Sequence, residues 1–150
     1  MIGTLARGAA AGVAATTIMT GVMKTAQRMG LLDELPPRTV ANAALDAAGL
    51  EDADPTTRTV ATGLAHYGYG AGMGAVFAGI TSKLPFRAPR WLEGAVFGLF
   101  VWVFSYMGWL PAAKILPSPT RDRPGRPITM VIAHLVYGGI LGVSLERREA

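Results

Sequence analysis

Four stretches of this chain, residues 8–23, 59–82, 94–113 and 127–145, contain no Lys, Arg, Asp or Glu; they are 16, 24, 20 and 19 residues long. Crossing a hydrocarbon core about 30 Å thick takes a helix of roughly 17 to 25 apolar residues. Three runs reach that length outright, and the first does so if Arg7 and Lys24 extend their charged ends towards the headgroups. A soluble bundle needs a polar stripe on every helix, and no charge supplies one here. The pattern predicts an all-α integral membrane four-helix bundle, one transmembrane domain over 1–150. Its helices are expected at about 3–29, 55–82, 89–111 and 127–147, with polar loops at 30–54 and 112–126.

Inside the runs a ten-residue pattern, AHxxYGxxxG, occurs twice: Ala65, His66, Tyr69, Gly70 and Gly74, then Ala133, His134, Tyr137, Gly138 and Gly142. His66 and His134 are the only two histidines of the chain. A GxxxG spacing precedes each copy, Gly8 and Gly12 in the first half and Gly94 and Gly98 in the second. An internal duplication is the economical reading: two repeated helical hairpins related by a pseudo-two-fold axis along the membrane normal, with Gly8 equivalent to Gly94 and His66 to His134. Glycines four apart share a helix face and let membrane helices approach closely, so these eight are expected at helix contacts.

The connections are read from proline and charge. Asp54 followed by Pro55 marks a helix start, and Gly30 a helix stop. Val40, Ala43, Ala44 and Ala47 recur at helical spacing, the mark of a short surface helix. In the preceding LPPRT segment, Pro36 and Pro37 are expected to hold Arg38 on a stiff, extended backbone. Arg38 would there meet a phosphate or lipid headgroup, or pin the loop through Asp33 or Glu34. Arg121, Arg123 and Arg126 are expected at headgroups. Trp91 and Trp109 stand where interfacial anchors belong. Net charge is +4, but the basic residues flank the spans without aromatic interleaving, so lipid rather than nucleic acid is the expected partner, with homo-oligomers or other membrane proteins besides. Lys and Arg are denser on the side of the termini (Arg7, Lys83, Arg87, Arg90, Arg147, Arg148), which favours cytoplasmic termini. With no cysteine, disulfides and thiolate metal sites are excluded.

An ionisable side chain within a span faces the protein interior and marks a candidate site. His66, His134, Tyr69 and Tyr137 form that candidate here. Three uses are open for the histidines: hydrogen bonds that fix helix packing, a proton-responsive or conducting pair, and bis-histidine haem ligation with glycine-lined faces leaving room for a macrocycle. No other cofactor is indicated, and no metal beyond that haem iron. GxxxxGK[ST], HExxH and GxSxG are all absent, and Glu93 is the only acid near a span interior, expected to cap or to pair with Arg7 or Arg90. A non-enzyme follows. It would act in membrane or proton homeostasis or as a small assembly subunit, with a haem electron carrier and a small channel or transporter as alternatives.

The GxxxG-bearing first helix, the run Glu34, Leu35, Pro36, Pro37, Arg38 and Thr39, the Ser105, Tyr106, Met107 and Gly108 stretch before a proline, and the two histidines together resemble the YagU-like family of small bacterial inner-membrane proteins. That resemblance covers most of the chain. It implies a multi-pass protein of the bacterial inner membrane with its termini inside, and brings no catalytic chemistry.

Overall fold

The computed structural model describes residues 1–83 and 88–146. Those residues are helical or irregular, with no strand among them: α1 Ile2–Arg28, α2 Pro36–Ala47, α3 Pro55–Thr81, α4 Arg90–Trp102, a π-helical segment Val103–Trp109, α5 Leu110–Ala112 and α6 Gly125–Ser144. The π segment joins α4 to α5 without a break, making one 23-residue rod, Arg90–Ala112. Three helices, α1, this rod and α6, are long and apolar enough to cross a membrane. At 27 residues α3 matches α1 in length but is not one of these three, its glycines, threonines, His66 and tyrosines interrupting its apolar run. The expected α6 terminus near residue 147 and the charges of Arg87, Arg147 and Arg148 fall outside the described residues.

Local chemistry sets the helix ends. The Asp54 carboxylate accepts from the Thr56 amide at 2.8 Å and the Thr57 amide at 3.1 Å, while Pro55, at the first helical position, has no amide to leave unpaired. α1 stops at Arg28, and Gly30 turns the chain with φ +76°. One expectation is corrected here. Pro36 and Pro37 are not extended; they are the first two residues of α2, launched from Leu35 in the β region. Proline's fixed φ suits the first helical turn, where its missing donor costs nothing. α6 likewise starts two residues early, at Gly125.

α1 packs on α3, α4 on α6, and α1 on α6, while α2 lies across α3. α3 and α4 meet through Phe77 and Phe97, whose ring centroids are 5.1 Å apart. Sequential long helices run antiparallel, so α3 and α6 point the same way. Arg58 fastens α2 to α3, donating to Asn42 at 3.0 Å and to the Ala53 carbonyl at 3.1 Å. The outer faces are apolar: Leu64, Val96, Phe100, Phe104 and Ile128 are among the large side chains left exposed. In a water-soluble domain such a continuous surface would be a liability. Against lipid it is the expected coat.

The closest approaches are glycine on glycine. A Cβ added at Gly8 would lie 2.6 Å from the Ala78 Cβ, and one at Gly74 would lie 2.8 Å from the Gly12 Cα; Gly12 is likewise closed by the Gly70 carbonyl. In the other pair, a Cβ at Gly94 would lie 2.8 Å from the Gly142 nitrogen, and Gly98 is closed by the His134 carbonyl. The two pairs use the same glycines in different registers. Gly8 faces the Gly74 carbonyl, yet Gly94 faces that of Gly138; Gly12 faces the Gly70 carbonyl, yet Gly98 faces that of His134. The second hairpin is thus slid by four residues, one helical turn, relative to the first. The expected superposition of both helices of one hairpin on those of the other is corrected accordingly. Glycines spaced by four present the same smooth groove after a one-turn slide, so either register closes.

Candidate functional site

Between the two helix pairs lies a cavity of about 300 Å³. It sits towards the end of the molecule that carries α2, and its walls are overwhelmingly apolar. The second half of α1 contributes Thr16 and Met19, α3 contributes Ala65, His66, Tyr69, Gly70 and Met73, and α6 contributes Met130, His134 and Tyr137. Pro36, Pro37 and Val40 of α2 lie over it. All four residues of the sequence-derived candidate site therefore line one space, together with the two prolines of the LPPRT segment. Arg38 does not: its side chain is exposed and pairs with Glu34 at 3.4 Å.

Each imidazole has one nitrogen already engaged. His134 Nδ1 lies 2.7 Å from the Met130 carbonyl, which can only accept, so Nδ1 carries the proton and donates. Nε2 of the neutral ring is then a bare acceptor. His66 Nε2 lies 3.2 Å from the Thr20 hydroxyl, and that hydroxyl spends its own proton on the Thr16 carbonyl at 2.8 Å. Thr20 Oγ therefore accepts, His66 Nε2 donates, and Nδ1 is the bare acceptor. The two rings are opposite tautomers, set by their helical neighbours.

The tyrosines divide between interior and rim. Tyr137 is buried and donates to the Gly70 carbonyl at 2.7 Å, tying α6 to α3. Tyr69 is 37% exposed, beside the Trp109 indole at the mouth.

Sequence reasoning missed the wall supplied by the Arg90–Ala112 rod: Val101, Ser105, Tyr106, Trp109 and Leu110. The π-helical segment brings Ser105, Tyr106 and Trp109 there together. Widened turns of this kind recur at functional sites. The available signal was the Ser105, Tyr106, Met107, Gly108 stretch, which marked a likeness without revealing a widened turn. Trp109 lines the cavity as well as standing near a helix end.

Tyr106 also leads out of the cavity. Its hydroxyl donates to Asp122, whose carboxylate holds Arg126 at 3.1 Å. The Asp122 side chain is only 2% exposed. The expectation that Arg126 serves headgroups is corrected, since Arg126 is held inward by Asp122; Arg123, exposed, bridges to Asp33 and joins the two loops. Glu93 pairs with Arg90 at 2.9 Å.

For haem the site fits poorly. A cavity of about 300 Å³ is at the lower end for drug-sized ligands, too small for a substituted tetrapyrrole, and His66 would have to release Thr20. Among the described residues no three His, Cys, Asp or Glu side chains gather into a metal site.

No curated protein and no solved structure matches the chain, and the YagU-like resemblance rests only on the residues that suggested it. A family model does match, from residue 2 to residue 150, and the chain therefore belongs to the DUF6789 family, a family of unknown function.

Proposed function

We propose that this protein is a non-enzymatic, multi-pass membrane protein that holds a small, mostly apolar molecule between its two helix pairs, with α2 as a cover. The observation that carries this reading is the convergence of His66, His134, Tyr69 and Tyr137 on one apolar cavity. Such a space, with a few placed polar groups, is the ordinary form of a ligand site. All four long helices cross the bilayer in this reading, α3 included, because its charge-free run is long enough and the hydroxyls of Thr59, Thr62 and Thr81 donate to its own backbone carbonyls. The bacterial inner membrane with cytoplasmic termini is the location we propose, on the YagU-like resemblance and the density of basic residues. A duplicated ancestral hairpin accounts for the shared glycines, the later one-turn slide having removed strict symmetry. Lipids surround the bundle, and a role in membrane homeostasis follows from the position of the site.

The test is mass spectrometry of the full chain released from gentle detergent, compared with a Val40→Trp variant that fills the cavity from α2. A small molecule retained by the wild type and lost from the variant supports the reading. No retained molecule, and no saturable uptake of any small apolar probe, ends it.

A further inference from the structure

The protons of the cavity are almost all committed inward. The Thr16 hydroxyl donates to the Gly12 carbonyl at 2.8 Å, Ser105 to the Val101 carbonyl at 2.7 Å, Tyr137 to the Gly70 carbonyl at 2.7 Å and Tyr106 to Asp122. Both neutral imidazoles spend their N–H on protein acceptors, His66 on Thr20 and His134 on the Met130 carbonyl. The cover adds no donor. A helix start normally leaves free amides, but Pro36 and Pro37 have none, and the Arg38 amide returns to the Leu35 carbonyl at 2.9 Å. At the rim the Trp109 indole N–H is directed at the Tyr69 hydroxyl oxygen, and Tyr69 keeps the one hydroxyl proton of the lining without a protein acceptor among the described residues. What the interior offers is acceptors: the bare nitrogens of His66 and His134 and the lone pairs of hydroxyls that have already donated.

Resting on the ligand-binding reading, we infer that the cavity selects a neutral, mostly apolar molecule that donates a hydrogen bond, a phenol or an alcohol, over an analogue of the same shape that only accepts. A buried acceptor left unmatched by its ligand loses affinity, so the discrimination is large for a small chemical change. A cation would also donate. Yet among the described residues no carboxylate lines the cavity to balance it, and an unpaired charge in an apolar space is costly.

The test is isothermal titration calorimetry on the full chain in detergent micelles, with empty micelles as the blank, using 4-propylphenol and its methyl ether 4-propylanisole. The phenol is expected to bind saturably and about tenfold or more tighter. In His66→Phe and His134→Phe, which keep bulk and remove the acceptor, the ether should bind as before while the phenol loses its advantage. Equal affinities in the wild type, or a preference for the ether, overturn the donor inference and leave the ligand-binding reading intact. Saturable binding of neither compound overturns both. The wild-type comparison decides the matter even if a variant fails to fold.

Discussion

The Tyr137 hydroxyl on α6 donates to the Gly70 carbonyl on α3 at 2.7 Å, and it does so from a buried position in the cavity wall. This bond joins one glycine-locked pair to the other. Gly70 is also the residue whose carbonyl closes on Gly12, so a single peptide unit organises three helices. Tyr137→Phe removes the donor and keeps the ring. It should lower stability by about 1 kcal/mol, since membrane hydrogen bonds contribute roughly 0.6 on average and up to about 1.7 kcal/mol. Reversible unfolding in mixed micelles measures this; an unchanged midpoint would sink the claim that the bond matters.

Glycines of α6 divide sharply. A Cβ at Gly138 would run into the Gly94 carbonyl, whereas one at Gly139 would meet nothing within 4 Å. Gly138→Ala should therefore cost about 1 to 3 kcal/mol from overpacking, and Gly139→Ala should be neutral or gain up to about 1 kcal/mol from helix propensity. The same contrast holds on α3 between Gly70 and Gly72. Equal effects within a pair would contradict the packing described here.

How far these features were legible differs by feature. The spacing of Gly8, Gly12, Gly94 and Gly98 tells which helix faces can approach closely, because period and face are linked in any helix. It cannot tell the register, because a four-residue spacing is unchanged by a four-residue slide, and that slide separates the two hairpins. Asp54 and Pro55 announced a helix start through purely local chemistry. Pro36 and Pro37 were ambiguous for the same reason: the fixed φ of proline suits both an extended segment and a first helical turn, and only packing over the cavity decides. The histidines could be placed in spans but not given tautomers, which depend on Thr20 and Met130 each standing one turn or one helix away. Asp122 lay in a loop rich in proline and arginine, and nothing in that context marked it as buried.

Asp54 gives a pH prediction. The Thr57 hydroxyl, then the Thr57 and Thr56 amides, hold its carboxyl below the ordinary 3.8. For a group with a depressed folded value, the stabilisation is fully present above the unfolded pKa and is lost as pH falls through the folded one. The first turn of α3 should therefore stay intact from neutral pH down to about 4 and loosen only below. The carboxyl carbon resonance of Asp54 should titrate with a midpoint under 3.8, moving up in Thr57→Val. A midpoint at or above the ordinary value would show that the cap is not formed.

The two loop arginines supply the last contrast. Arg126 is held by an Asp122 side chain that is 2% exposed, and Tyr106 donates to the same carboxylate. Asp122→Ala leaves a guanidinium without its counter-charge in a partly enclosed site and a buried phenol without its acceptor. Removing one partner of a buried pair costs about 3 to 5 kcal/mol, so this variant should unfold far more readily. Adding Arg126→Leu should recover a good part of the loss, because the stranded charge is then gone. Arg123 pairs with Asp33 in the open, its side chain 72% exposed. There solvent and salt screen the attraction, and Arg123→Ala should cost no more than about 1 kcal/mol, less still at high ionic strength. Denaturant midpoints at two salt concentrations separate the cases. If the double variant were no more stable than Asp122→Ala, the cost would lie in the lost Tyr106 contact rather than in the unpaired arginine.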